Sequence, residues 1–195
     1  MGKIYYIMGK SSSGKDTLYG ELERKLPELR TVVPYTTRPI RHGEKDGREY
    51  FFVTEARMEN LKKENRILEL RSYDTVHGLW YYFTADDGQI QLTESDYLMI
   101  GTLESYEKIR DYYGEEQVIP LYVEVEPGER LMRALKRERN QENPKYKEMC
   151  RRFLADEEDF SEENLERLKI VRRFKNDSKE DCLEEMAGVI RNGKL

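Results

Sequence analysis

The chain is poor in cysteine, histidine and tryptophan, with two, two and one of them among 195 residues. Cys150 and Cys182 stand far apart and without histidine partners, a spacing that excludes a zinc-type centre and frames no disulfide scaffold. Both read as free thiols, which suits a cytoplasmic protein. His42 and His77 are isolated, so surface or packing roles are expected for them rather than catalysis. No apolar run reaches the length that spans a bilayer. Residues 1–8 are too short and polar for a signal peptide, and Tyr6 breaks the N-myristoylation pattern, so no membrane partner is expected. Low-complexity tracts and internal repeats are missing. A basic excess is missing too: the net charge is −5, and no nucleic-acid partner is expected.

What is present is charge and tyrosine. Charged and hydrophobic residues each make up 37% of the chain, and there are 14 tyrosines. This balance implies one well-packed domain with a charged, helix-rich surface. Residues 3–8 (KIYYIM) read as a buried strand. Leu18, Leu22 and Leu26 form a helical stripe that Pro27 stops. Residues 31–33 read as a short strand. Residues 34–85 are rich in Arg, Tyr and turn formers, and they read as an inserted lobe with one helix near 55–65. Strands are expected at 96–102 and 118–125, with a helix at 103–113 between them. Residues 129–159 read as helical with a break at Asn143 and Pro144. A helix at 162–168, a strand region opening at 169–171 and a helix at 179–190 follow. Alternating strands and helices predict an α/β fold with a central parallel sheet covered on both faces.

The stretch MGKSSSGKDT, residues 8–17, carries Gly9, Gly14 and Lys15 in the register Gly-x-x-x-x-Gly-Lys. It lies between a strand and a helix, the context a phosphate-binding loop requires. The glycines permit turns that aim N–H groups inward, small Ser11, Ser12 and Ser13 let the backbone approach phosphate oxygens, and Lys15 adds charge. The bland alternative is a Ser-capped turn. Asp16 stands where Ser or Thr normally holds Mg²⁺. Its carboxylate either binds Mg²⁺ directly or through water, the favoured reading, or repels the nucleotide; Thr17 supplies a neighbouring hydroxyl. Downstream, PYTTRPIRHGEKDGREYFFV (34–53) sets Arg38 and Arg41 three apart, with Glu44 to orient an arginine and Tyr50 to add a phenol. By composition this is either a clamp for a dianionic phosphate or a charged surface hairpin.

Thr36, Thr37, Arg38, Arg41, Gly43, Glu44, Gly47, Tyr50 and Phe52 match, position by position, the substrate-binding signature of guanylate kinases, which the chain therefore resembles. The resemblance implies a P-loop NTPase-type three-layer sandwich in one domain over 1–195: a core (1–33, 86–126 and 161–195), a lobe for the nucleoside monophosphate (34–85) and a helical lid (127–160). It implies ATP and Mg²⁺ as cofactors, with small-molecule nucleotides as substrates and GMP as the first acceptor. Glu69 is similar to the family glutamate that reads the guanine edge. WYYFTA (80–85) resembles the family stretch that would put Tyr82 on the substrate phosphate and Thr84 near the base. Arg133, Arg137 and Arg139, then Arg151 and Arg152, fall where lid arginines stand; Arg137, Arg151 and Arg152 are assigned to catalysis with Lys15 and Arg38. Arg151, Ala155 and Glu158 keep the family spacing, and FKND (174–177) would set Asn176 near adenine.

Four departures accompany these matches. Asp16 replaces the loop hydroxyl. Pro34 and Tyr35 stand where the family has serines. The stretch 69–82 is long, and Phe83 replaces a glycine. Residues 98–103 lack the family's aspartates, although Glu104 follows. The phosphate-gripping set is thus more complete than the base-reading set. Rival expectations are a kinase for another nucleotide or a sugar phosphate, a binding module without catalysis, and a simple NTPase. Oligomeric state is not legible.

Overall fold

A computed structural model describes residues 1–75 and 78–193, so His77 lies outside the described residues. Strand β1 (Ile4–Met8) runs through the middle of the molecule, with every residue buried. Its side chains alternate between two cores, as a strand's two-residue period requires. Ile4, Tyr6 and Met8 pack with Tyr106, Ile109, Phe160 and Leu165. Tyr5 and Ile7 pack with Leu18, Leu22, Phe174 and Met186.

Both neighbours of β1 are parallel to it: β7 (Tyr97–Gly101) on one side and β8 (Val118–Glu124) on the other. β2 (Arg30–Thr31) and β9 (Arg173–Lys175) extend the sheet in the order β2-β7-β1-β8-β9. Helices α1 (Lys15–Lys25) and α7 (Lys179–Asn192) cover one face, while α3 (Leu103–Tyr113) and α6 (Glu162–Arg167) cover the other. This is the three-layer α/β arrangement the residue pattern predicts. Among the described residues, no helix is long and apolar enough to cross a membrane.

A second sheet is built from β3 (Tyr35–Thr36), β4 (Phe51–Phe52), β5 (Ile67–Thr75) and β6 (Gly78–Ala85), in the order β4-β3-β6-β5. Helix α2 (Glu55–Lys63) packs on it through Met58 and Leu61, against Phe83 and Ala85. The long β5–β6 hairpin goes beyond the expectation of a turn-rich segment with one helix. Two helices, α4 (Pro127–Arg139) and α5 (Tyr146–Asp159), form a charged pair whose connection contains Asn143 and Pro144.

Several boundaries differ from expectation for identifiable reasons. α4 starts at Pro127, two residues early, because proline suits the first helical turn and the Glu126 carboxylate accepts from the Gly128 and Glu129 N–H groups. β2 ends at Thr31: the Val33 N–H turns to the Gln89 side chain at 2.9 Å instead of a strand. The late strand begins at Arg173, after Lys169 takes a left-handed φ of 56° and Val171 points into solvent.

Candidate active site

The loop between β1 and α1 is shaped by close approaches. A Cβ on Gly9 would lie 2.6 Å from the Val123 carbonyl oxygen, so only glycine lets β1 turn this tightly past β8. Ser12 has φ 66° and Gly14 has φ 87°, which curls the chain over the start of α1. Gly14 caps α1 without any side-chain bond, leaving the helix's leading N–H groups directed at the loop. The hydroxyls of Ser12 and Ser13 are buried and have no partner among the described residues. Buried polar atoms are normally satisfied, so these two point to a ligand. Asn176, almost fully buried, donates from Nδ2 to the Ser13 carbonyl at 2.7 Å and lies 2.4 Å from where a Gly14 Cβ would be. It braces the loop from behind. Lys15 Nζ sits 3.3 Å from Asp16 Oδ2, and both Asp16 and Thr17 are exposed.

The far side of the loop is tied to α4 and α5. The Ser11 N–H donates to Asp156 Oδ2 at 2.7 Å, and Lys10 Nζ donates to Glu157 Oε2 at 2.8 Å. Arg130, 1% exposed, joins them: it donates to the Ser11 carbonyl at 3.2 Å, to Asp156 at 3.3 Å and to Glu157, and its guanidinium lies 3.9 Å over the Phe153 ring. Burial raises the Glu157 carboxyl's pKa, but Lys10 and Arg130 outweigh it and hold the group below its ordinary value. Arg130, Asp156 and Glu157 escape sequence reading because they meet only through the α4–α5 turn and a loop more than a hundred residues earlier.

The lid arginines are not gathered at the loop. Arg137 is exposed and hydrogen-bonds no described residue. Arg151 and Arg152 are exposed and both bind Glu148, holding that carboxyl down at about 2. Arg133 instead reaches the Asn176 carbonyl at 3.1 Å.

A second cluster lies in the lobe. Arg38, 3% exposed, forks onto Glu44 at 2.7 and 2.6 Å, and its guanidinium faces the rings of Tyr50 and Phe52 at 5.1 and 5.2 Å. Its Nε is buried without a partner. The Arg38 fork, together with the Arg41 backbone N–H at 2.8 Å, pulls the Glu44 carboxyl down from 4.5 to about 2. Tyr50 meets Tyr82 edge to face at 5.7 Å. Burial, then Tyr82, pushes the Tyr50 phenol up; Arg38 and Arg71 oppose this, and Asp16 of the loop adds to it, so loop and lobe share one electrostatic neighbourhood. The Arg41 side chain stays in solvent.

Deeper in the lobe, Glu69 and Thr84 are buried and bonded to each other at 2.9 Å. Glu69 is also bonded by Arg71, a residue that no local sequence pattern marks. The departures from the guanylate kinase pattern have packing roles: Tyr35 stacks on Phe83 at 5.1 Å, and Thr102, at the end of the strand lacking aspartates, caps α3 and accepts from Arg71.

A guanylate kinase family model matches residues 1–192. The guanylate kinase of Thermobifida fusca (strain YX) is 45% identical over 67 residues, 34% of either chain. That of Nostoc sp. (strain PCC 7120) is 33% identical over 103 residues, which is 53% of this chain and 50% of the relative. The aligned stretches thus span about a third to a half of the curated relatives' length. The crystal structure of guanylate kinase from Anaplasma phagocytophilum superposes with a TM-score of 0.62 over 100% of this chain and 87% of the other, at 19% identity. With the family match running nearly end to end over a phosphate loop, a central parallel sheet and an arginine–tyrosine lobe, the chain belongs to the guanylate kinase family.

Proposed function

We propose that the protein moves the terminal phosphoryl group of ATP onto the phosphate of a nucleoside monophosphate, with GMP as the first acceptor (GMP + ATP to GDP + ADP). The observation that carries this reading is the pairing of two anion sites. One is the loop with its unpartnered buried hydroxyls; the other is buried Arg38 with its unpartnered Nε beside Tyr50. Phosphoryl transfer needs positioning and charge neutralisation more than covalent chemistry, and two anion sites supply both.

In this reading Gly9, Ser11, Ser12, Ser13, Gly14, Lys15 and Thr17 hold ATP phosphates, with Asn176 fixing the loop. Arg38, Arg41, Tyr50 and Tyr82 hold the acceptor phosphate, Glu44 orients Arg38, and Glu69 and Thr84 face the base. Asp16, an exposed carboxylate beside Lys15, is the residue that would hold Mg²⁺, which would supply neutralisation of phosphate charge. Segment 127–160 acts as the lid over core and lobe. Arg151 or Arg152 leaves Glu148, and with Arg137 closes over the transferring group; such an arginine is worth roughly 10³–10⁵ in rate. Closure also excludes water and suppresses ATP hydrolysis. A cytoplasmic setting supplies these substrates and suits the two free cysteines.

The test is ADP release from Mg²⁺-ATP with GMP, dGMP, AMP, CMP, UMP, dTMP and ribose phosphates, with Asp16→Ser run beside the parent. Turnover of a nucleoside monophosphate above the acceptor-free rate is expected. Turnover of ribose phosphates alone moves the assignment to a sugar-phosphate kinase. Silence in the parent with activity in Asp16→Ser means the loop is disabled. Silence in both, with nucleotide still bound, favours a binding module.

A further inference from the structure

The β5–β6 hairpin presents a polar face to the core. Its register sets Glu69 opposite Thr84 and Arg71 opposite Tyr82, and alternate residues share a face. Arg71 crosses from this face to Thr102 at the carboxyl end of β7, the edge of a parallel sheet where ligands bind. Its side chain is 14% exposed and that of Glu69 only 2%.

The hydrogen-bonding capacity of this pair can be counted. A carboxylate offers about four lone-pair sites. Glu69 Oε1 accepts from Arg71 NH2 at 3.2 Å and from Thr84 Oγ1 at 2.9 Å, so it is full. Oε2 accepts from Arg71 Nε at 2.8 Å and keeps a single site. Of the five N–H groups of an arginine, Arg71 uses one on Nε, one on NH2 and one on NH1, the last toward Thr102 at 3.3 Å. One N–H remains on each terminal nitrogen. The pair therefore has more donors to give than acceptor sites to offer.

A guanine edge has the wrong balance for such a partner. Its N1–H and N2–H both seek acceptors beside a single carbonyl oxygen. An edge with one N–H between two carbonyl oxygens, as in uracil or xanthine, has the matching balance. We infer that Arg71 is a specificity-determining residue that, paired with Glu69, adds donors toward carbonyl oxygens to the base pocket and narrows the preference for GMP over monophosphates with acceptor-rich bases. This rests on the nucleoside-monophosphate reading above.

The experiment is calorimetric binding of GMP, UMP and XMP to the parent, Arg71→Ala and Arg71→Lys, with thermal denaturation of each. Arg71→Ala frees lone pairs on Glu69 and removes the donors. It should shift the ratio of GMP affinity to that of the better of UMP and XMP toward GMP by about tenfold or more, the order of one bidentate base contact. Arg71→Lys lacks the planar fork and should shift the ratio the same way by less. It carries the test if the alanine variant fails to fold. A purely structural role would lower all affinities together and leave the ratio unmoved; that result overturns the role of Arg71 and leaves the nucleoside-monophosphate reading standing. Absence of binding by the parent and both variants overturns both.

Discussion

The Asp156 carboxylate accepts the backbone N–H of Ser11 at 2.7 Å, so a helix far along the chain holds an amide of the phosphate loop. An incoming phosphate meets that negative charge. Lifting it should favour ATP, because two like charges a few ångströms apart cost on the order of 1–4 kcal/mol between water and a protein surface. Asp156→Asn is expected to tighten ATP binding by about fivefold or more and to flatten its salt dependence. Fluorescence titration with an ATP analogue at two ionic strengths reads both; unchanged affinity would mean that the loop and α5 part freely before ATP enters.

Arg38 belongs to the lobe's anion site alone. It is buried in the lobe and forked onto Glu44, and it makes no hydrogen bond to the loop. Arg38→Ala should lower kcat/KM for the acceptor by about 10²-fold or more, the order expected when a buried charged partner is truncated. ATP affinity should hold within about twofold. Equal loss of both affinities, measured by calorimetry on folded protein, would contradict this division of labour.

Glu44 gives the lobe an acid sensitivity. Arg38 and the Arg41 N–H hold its carboxyl at about 2 in the folded protein, against an ordinary 4.5. A depressed folded value means that the unfolded chain binds the proton more readily. The stabilisation is therefore complete above about 4.5 and disappears as pH falls through about 2. Urea midpoints measured across this window should fall steeply for the parent and less steeply for Glu44→Gln. Parallel slopes would remove Glu44 as the source.

Residue spacing made the core legible because its signals are local. The leucine stripe of α1, the apolar run of β1 and the glycine register of the loop each lie within a few residues of one another. The β5–β6 hairpin was harder to see. Its apolar residues, such as Phe83 packed on α2, are interleaved with Glu69 and Thr84, which are buried, and with Arg71 and Tyr82, which are half-buried. Hydrophobic alternation is blurred where both faces are occupied. Arg130 looks like any charge on a charged helix. Its burial is set by Asp156, Glu157 and Phe153, which reach it only once α5 folds back. The same holds for Arg71: its nearest partner is two positions away, but Thr102 lies 31 residues on.

Asn176 sets an order of assembly. The carbonyl it holds belongs to Ser13, 163 positions earlier. During synthesis the glycine loop leaves the ribosome long before its brace exists, and β1 must wait for β7 and β8 to flank it. The nascent chain thus carries an unfinished loop until β9 docks and Asn176 slides under Gly14. On the proposed reading, the brace that finishes the nucleotide loop is among the last parts to be synthesised, and a chain stalled before Asn176 lacks it.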